Sequence, residues 1–111
     1  MLAMYADDAV FDLSAVFTDM APVHGHAEIR RHWDRMWEVW GGLRMDVREV
    51  HEGDDGRYAV QIRLWGVGRE SGVAVDQLFA MLYTIGPDGK ARSAQLLPDM
   101  EAAISAATPH T

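Results

Sequence analysis

The spacing of apolar residues changes once along this chain of 111 residues, and that change most restricts the possible folds. From Ala27 to Trp40, apolar residues recur every three or four positions and charged residues take the opposite side. This spacing predicts an amphipathic α-helix, which the glycine pair after Trp40 ends. After the glycines, apolar residues alternate with polar ones, which is the pattern of half-buried β-strands. The chain therefore combines a long helix with a sheet.

Four strands are predicted after the helix, because two turn segments and a glycine-rich stretch divide the alternating region. The turns EGDDG and GPDG contain the residues that tight turns favour. Before the long helix, MLAMYADD is predicted as the end of another helix, and a short strand follows from Ala9 to Ser14. A closing helix, MEAAISAA, follows Pro98 and the capping residue Asp99. The four predicted strands are 43–51, 57–68, 71–85 and 90–97.

The composition restricts the partners of the protein. Seventeen acidic residues against ten basic ones give a formal net charge of −7. This balance opposes binding to nucleic acids and anionic membranes, which depends on basic side chains. The chain has no cysteine, no leader-like start and no apolar run of the roughly 20 residues that span a membrane. We therefore expect one cytoplasmic α+β domain, residues 1–111, that binds neither nucleic acid nor membrane.

Most of the chain resembles one known family through the segments MYADDAVFDLS, HAEIRRHWDRMW, GRESGVAVDQLFAMLYTIGPDGKA and DMEAAISAA. Together they look like the SnoaL-like branch of the nuclear transport factor 2-like superfamily, which includes ketosteroid isomerases and polyketide cyclases. The resemblance implies a cone-shaped, strongly curved mixed or antiparallel sheet that helices close around an apolar pocket. It also implies that the family's first helix is missing or truncated here, and that homodimers form through the sheet. We expect Leu78, Ala80 and Leu82 on the dimer face.

The catalytic carboxylates of characterised relatives are not matched in this chain. By the resemblance, the two acids of ketosteroid isomerases correspond to Leu13 and Met81. The two carboxylates of limonene epoxide hydrolases correspond to Trp65 and Leu96, and only their arginine is kept, as Arg63. Fold-level analogy does not settle activity, so both an enzyme and a noncatalytic protein stay open.

Three residues remain candidates for acid–base or substrate-orienting chemistry. Asp12 adjoins the first pocket position, although a regular strand points it to the opposite face unless a bulge turns it. His32 lies at the edge of the apolar face of the long helix, and its alternative is a surface pair with Glu28. Arg63 lies on the mixed face of its strand, and its alternative is a surface position stacked on an aromatic ring.

The segment HGHAEIRRHW holds three histidines but does not predict a metal site. A His-x-His pair binds a metal only when further ligands converge, and the sequence places none beside it. We expect His24 and His26 in the loop before the helix, with His26 hydrogen-bonded to an exposed amide at the helix entry. No metal and no other cofactor is expected.

Two hypotheses of function follow. The first is a protein that binds a small apolar ligand and carries acid–base activity of the cyclase, isomerase or hydratase kind on a hydrophobic, ring-containing substrate. The alternative is a noncatalytic ligand-binding or dimeric interaction module of the same fold. Convergence of His32, Arg63 and Gln77 in one closed cavity would favour the first. The predicted pocket residues are Leu13, Trp33, Met36, Trp37, Arg63, Trp65, Gln77, Phe79, Met81 and Leu96.

Overall fold

The computed structural model describes residues 2–39, 44–68 and 72–108. One curved, unclosed sheet of six strands and two α-helices make up the fold, which confirms the predicted α+β class. In chain order the elements are a 3₁₀ helix Leu2–Met4, β1 Tyr5–Asp12, β2 Val23–His24, α1 Gly25–Val39, β3 Arg44–Glu52, β4 Arg57–Val67, β5 Ala74–Ile85, β6 Ala91–Leu97 and α2 Met100–Ala107.

The sheet is mixed, and its strand order is β2-β1-β6-β5-β4-β3. Strands β3 to β6 pair antiparallel, each with the next in sequence, whereas β1 pairs parallel with β6 and antiparallel with β2. Strands β2 and β3 therefore form the two edges. Neither helix in the described part of the chain has the length and apolar character that a membrane span requires.

The predicted helical start is wrong, because the chain enters the sheet at Tyr5. Only Leu2–Met4 form a 3₁₀ helix before β1. Tyr5 is buried in the core and pairs with β6, so the strand begins earlier than the local pattern suggested. The strand ends at Asp12, whose Oδ1 accepts hydrogen bonds from the amide and the hydroxyl of Ser14 at 2.9 and 2.6 Å.

The other element boundaries shift by a few residues. Helix α1 begins at Gly25 rather than at Ala27, and the predicted end at Trp40 lies outside the described residues. Strand β5 begins at Ala74, and its predicted first residue, Ser71, also lies outside them. These shifts leave the predicted order of the later elements unchanged.

The cross-strand register assigns each side chain of the central strands to one of two faces. Directly opposed residues share a face, so Ile62 lies beside Phe79 and Val60 lies beside Met81. These side chains belong to the main core, in which Ile29 of helix α1 is fully buried. We call this side of the sheet the α1 face.

Helix α2 packs on the opposite side of the sheet, which we call the α2 face. Its residues Ala103 and Ala107 are buried with Ala80, and Leu82 packs against the same group. Small side chains allow this close approach of helix and sheet. The predicted dimer face is therefore wrong for Ala80 and Leu82, because the chain's own helix covers them, whereas Leu78 remains 60% exposed.

Candidate functional site

An aromatic cluster lies where helix α1 crosses strand β1 on the α1 face. The ring of Trp33 packs edge-on against Tyr5 and Phe11, with centroid separations of 5.6 and 6.3 Å. The centroid of the His32 ring lies 5.6 Å from the centroid of the Phe11 ring. Trp33 and His32 are both half-buried, so part of each ring is accessible. The cluster offers flat apolar surface with a polar edge, which suits a planar ligand.

Burial lowers the pKa of His32 below its usual value of 6.5, and the positive charge of Arg35 lowers it further. The imidazole is therefore neutral at neutral pH. A neutral imidazole has one nitrogen that donates a hydrogen bond and one that accepts. On the α1 face, His32 is thus a group that can take up a proton from a bound molecule.

The apolar side of the central strands continues the α1 face beyond the helix. Ile62 and Phe79 are cross-strand neighbours, and both are partly buried against the core, as is Leu13 after the end of β1. Met81 and Leu96 are only 4% and 3% exposed, so they belong to the core beneath this surface. Of these five side chains, Leu13, Ile62 and Phe79 are therefore the ones that remain partly accessible on the α1 face.

The remaining predicted pocket residues on this side differ in exposure. Met36 lies one turn after Trp33 in helix α1 and is half-buried. Gln77 is exposed and lies opposite Leu64 on the α1 face. The side chain of Trp37 lies outside the described part of the structure.

Arg63 and Trp65 do not share a face with Phe79, contrary to the predicted pocket. They lie opposite Leu78 and Asp76, which puts both on the α2 face. The sequence divides the faces of each strand correctly, but it does not show which face of β4 meets which face of β5. His32, Arg63 and Gln77 therefore do not converge in one cavity, and the acid–base hypothesis loses the support of Arg63.

Arg63 is instead held in a surface ion pair. Its Nε and Nη2 donate hydrogen bonds of 2.9 Å to the two carboxylate oxygens of Asp76, and its guanidinium lies 4.5 Å from the ring centre of Trp65. The hydrogen bond to Asp76 raises the pKa of Arg63, and the same bond lowers the pKa of Asp76. This stacked arrangement matches the surface alternative that the sequence left open.

Asp12 also lies away from the α1 face. Its register partner on β6 is Gln95, which in turn lies opposite Leu82 on the α2 face. The register shift of β1 falls between Tyr5 and Val10, so no bulge turns Asp12 inward. The Asp12 carboxylate accepts hydrogen bonds from Ser14 in the turn that ends β1, and it does not lie beside His32.

The expected loop position of His24 and His26 is wrong, because His24 lies in β2 and His26 lies in the first turn of α1. The Nε2 atom of His26 donates a hydrogen bond of 2.8 Å to the Tyr5 carbonyl oxygen, so its partner is a carbonyl and not the expected amide. His24 is exposed in β2. Among the described residues, no group of three histidine, cysteine or acidic side chains could hold a metal ion.

A half-open depression of about 150 Å³ lies on the α2 face, beside the start of helix α2. Ligand pockets usually measure about 300–1,000 Å³, so this depression is smaller than a usual ligand pocket. Its lining contains Phe79 but no other predicted pocket residue: Gln61, Leu78, Phe79, Ala80, Pro98, Asp99 and Met100.

Sequence reasoning missed Tyr5 and Phe11, which complete the aromatic cluster. Ala9, Phe11 and Leu13 occupy alternate positions, which is the strand signal for one face. The predicted helix over residues 1–8 concealed the place of Tyr5 in the same strand.

A family model for the SnoaL-like domain matches residues 1–94. A search of curated proteins found no significant match. Among solved structures, a putative SnoaL-like polyketide cyclase from Jannaschia sp. CCS1 is 20% identical with a TM-score of 0.72, and the alignment covers 96% of this chain and 75% of that one.

Two further structures have the same fold and contain ligands. TerC, co-crystallised with polyporic acid, is 24% identical with a TM-score of 0.74, over 91% of this chain and 78% of that one. A Mycobacterium tuberculosis protein in complex with estradiol-17β-hemisuccinate is 16% identical with a TM-score of 0.72, over 90% and 79%. These comparisons confirm the predicted nuclear transport factor 2-like fold.

Proposed function

Since the chain belongs to the SnoaL-like family, we propose that it binds a small, apolar, ring-containing molecule on the α1 face of its sheet. The ligand would lie between the aromatic residues of helix α1 and the apolar side chains of strands β4 and β5. The observation that carries this proposal is the half-buried pair Trp33 and His32, which adjoins Phe11 on the same face as Ile62 and Phe79.

The chemistry of this surface favours an apolar ring over a charged ligand. Its described side chains are aromatic or aliphatic apart from His32 and Gln77, and His32 is neutral at neutral pH because its pKa is lowered. The charge recorded beside this surface is that of Arg35, at the His32 end, so burying a charged ligand among the apolar side chains of the strands would cost free energy.

Ligand binding is tested by titrating the protein with tetralin, an uncharged molecule of two fused rings, and following backbone amide signals by NMR. We expect signals of the α1 face to shift, and we expect Phe79→Arg to abolish the shifts, because an arginine would place a charge in the apolar contact. The adjacent variant Leu78→Arg is the matched control, since Leu78 is 60% exposed on the α2 face. Binding that is lost in Leu78→Arg and kept in Phe79→Arg would show that the ligand uses the other face.

We propose His32 as the acid–base group if the bound molecule also reacts. The neutral imidazole could remove a proton from carbon next to a ring carbonyl, which is a step shared by isomerases and cyclases. The second candidate function is noncatalytic binding, and it is favoured by the aliphatic residues Leu13, Met81 and Leu96 at the positions where relatives carry carboxylates.

Deuterium exchange into α-tetralone separates these two functions. An acid–base enzyme would speed exchange of the protons beside the carbonyl, and we expect His32→Gln to slow that exchange about 100-fold. Because burial lowers the pKa of His32, the base stays neutral as the pH falls through 6.5, and the rate should decline only at lower pH. His24→Gln is the control, as His24 is exposed in β2. Exchange at the buffer rate, with α-tetralone bound, would establish the noncatalytic function.

A further inference from the structure

A row of three side chains on helix α1 leads from the core to solvent beside the proposed site. Ile29, His32 and Arg35 follow one another at intervals of three residues, so each is the neighbour of the next on the helix surface. Ile29 is fully buried, His32 is half-buried and Arg35 is exposed. Arg35 therefore lies where the aromatic cluster meets solvent, almost one helical turn beyond His32.

The guanidinium of Arg35 has no carboxylate partner in the described part of the chain. Arg57, Arg63 and Arg92 each form an ion pair, whereas none of the ion pairs between described residues includes Arg35. Even Glu38, three residues later in the same helix, forms none with it. The positive charge of Arg35 is thus available to a bound molecule.

The surroundings of His32 are electropositive. Burial is the larger cause of its lowered pKa, and the charge of Arg35 is the second cause. Glu28, four residues before His32, forms no ion pair with it among the described contacts. Arg31 and Arg35 are four residues apart, and like charges at this spacing oppose each other on a helix. An anion bound beside His32 would offset this repulsion.

We propose that the ligand carries one carboxylate, which lies beside Arg35 while the rings of the ligand lie against Trp33 and Phe11. This inference rests on the proposed function, because it concerns the same site. Apolar neighbours such as Phe79 cannot stabilise a charge, so the carboxylate lies at the helix end of the surface. The neutral imidazole of His32 has one N–H group that can donate a hydrogen bond to a carboxylate oxygen.

The ligand class is a ring-containing monocarboxylic acid and not a larger anion. The formal net charge of −7 repels polyanions, whereas one exposed guanidinium offers a local positive charge that suits one carboxylate. Guanidinium and carboxylate groups can form two parallel hydrogen bonds. Arg63 and Asp76 form such a pair elsewhere in this chain, with both bonds at 2.9 Å.

Two ligands that differ by one carboxylate test this inference. Tetralin is the neutral molecule, and tetrahydro-β-naphthoate is tetralin with one carboxylate on its aromatic ring. We expect Arg35→Gln to weaken binding of the carboxylate about fivefold, which is the effect of one partly exposed ion pair, and to leave tetralin binding unchanged. Arg35→Lys keeps the charge and should keep most of the carboxylate affinity. NMR titration of backbone amide signals measures the dissociation constants.

Arg30→Gln is the matched control, since Arg30 is an exposed arginine of the same helix. Residues two positions apart on a helix do not face each other, so Arg30 lies away from His32 and its replacement should leave both ligands unaffected. Circular dichroism verifies that each variant is folded. Carboxylate binding that Arg35→Gln leaves unchanged, or weakens no more than tetralin binding, would overturn this inference alone. Failure of both ligands to bind the original chain would overturn the proposed function as well.

Discussion

Replacing Gly53 by alanine is expected to lower the free energy of unfolding by about 3 kcal/mol, because backbone must move to admit the new side chain. An added Cβ would lie 2.6 Å from the carbonyl carbon of Ala107 at the end of helix α2. The amide of Asp54 donates a hydrogen bond of 2.7 Å to the same carbonyl group, so the clash would also disturb this contact. Urea unfolding followed by circular dichroism measures the change.

Gly72→Ala is the matched control for this substitution. An added Cβ at Gly72 meets nothing within 4 Å, although its φ of +67° makes alanine unfavourable. We expect a loss of about 1 to 2 kcal/mol there from backbone conformation alone. If Gly53→Ala cost no more than Gly72→Ala, the close approach of α2 to the turn between β3 and β4 would be wrong.

Replacing Ile29 by alanine is expected to cost about 3 kcal/mol of stability, within the range for cavities left in a packed core. Ile29 is 0% exposed and is the largest fully buried side chain of the described residues. It joins helix α1 to the core formed by β1 and the central strands. Its loss should therefore loosen the helix that carries the aromatic cluster, and chemical unfolding measures the effect.

Arg30→Ala provides the comparison, since Arg30 is the next residue of the same helix and is exposed. Surface substitutions of this kind usually change stability by less than about 0.5 kcal/mol. Similar, small losses for the two variants would show that α1 is not packed through Ile29. A large loss for Ile29→Ala that also reduces tetralin binding would connect the packing of the helix to the proposed site.

Helix α1 and the antiparallel strands were predictable, because their signals are local. Apolar residues at helical spacing place Ile29 and Trp33 on one side of α1, and alternation places Ile62 apart from Arg63 on β4. The start of the chain was not predictable in this way. Tyr5 is a strand residue through its pairing with β6, which lies far away in sequence.

The candidate site was only partly predictable, for a related reason. Trp33 and Phe79 were expected on one surface, and both belong to the α1 face. Arg63 and Trp65 were expected with them and lie on the α2 face. Alternation shows that neighbouring residues of a strand face opposite ways, but it contains no information on the register between strands.

The sequence by itself thus determined most of the kinds of element and most of their order. Only the tertiary structure decided which faces meet, that helix α2 covers Ala80 and Leu82, and that a bulge brings Val50 to the side of the sheet that Val47 occupies. The physical reason is that secondary structure follows from the spacing of residues along one segment. Faces and registers depend on hydrogen bonds and packing between segments that are distant in the chain.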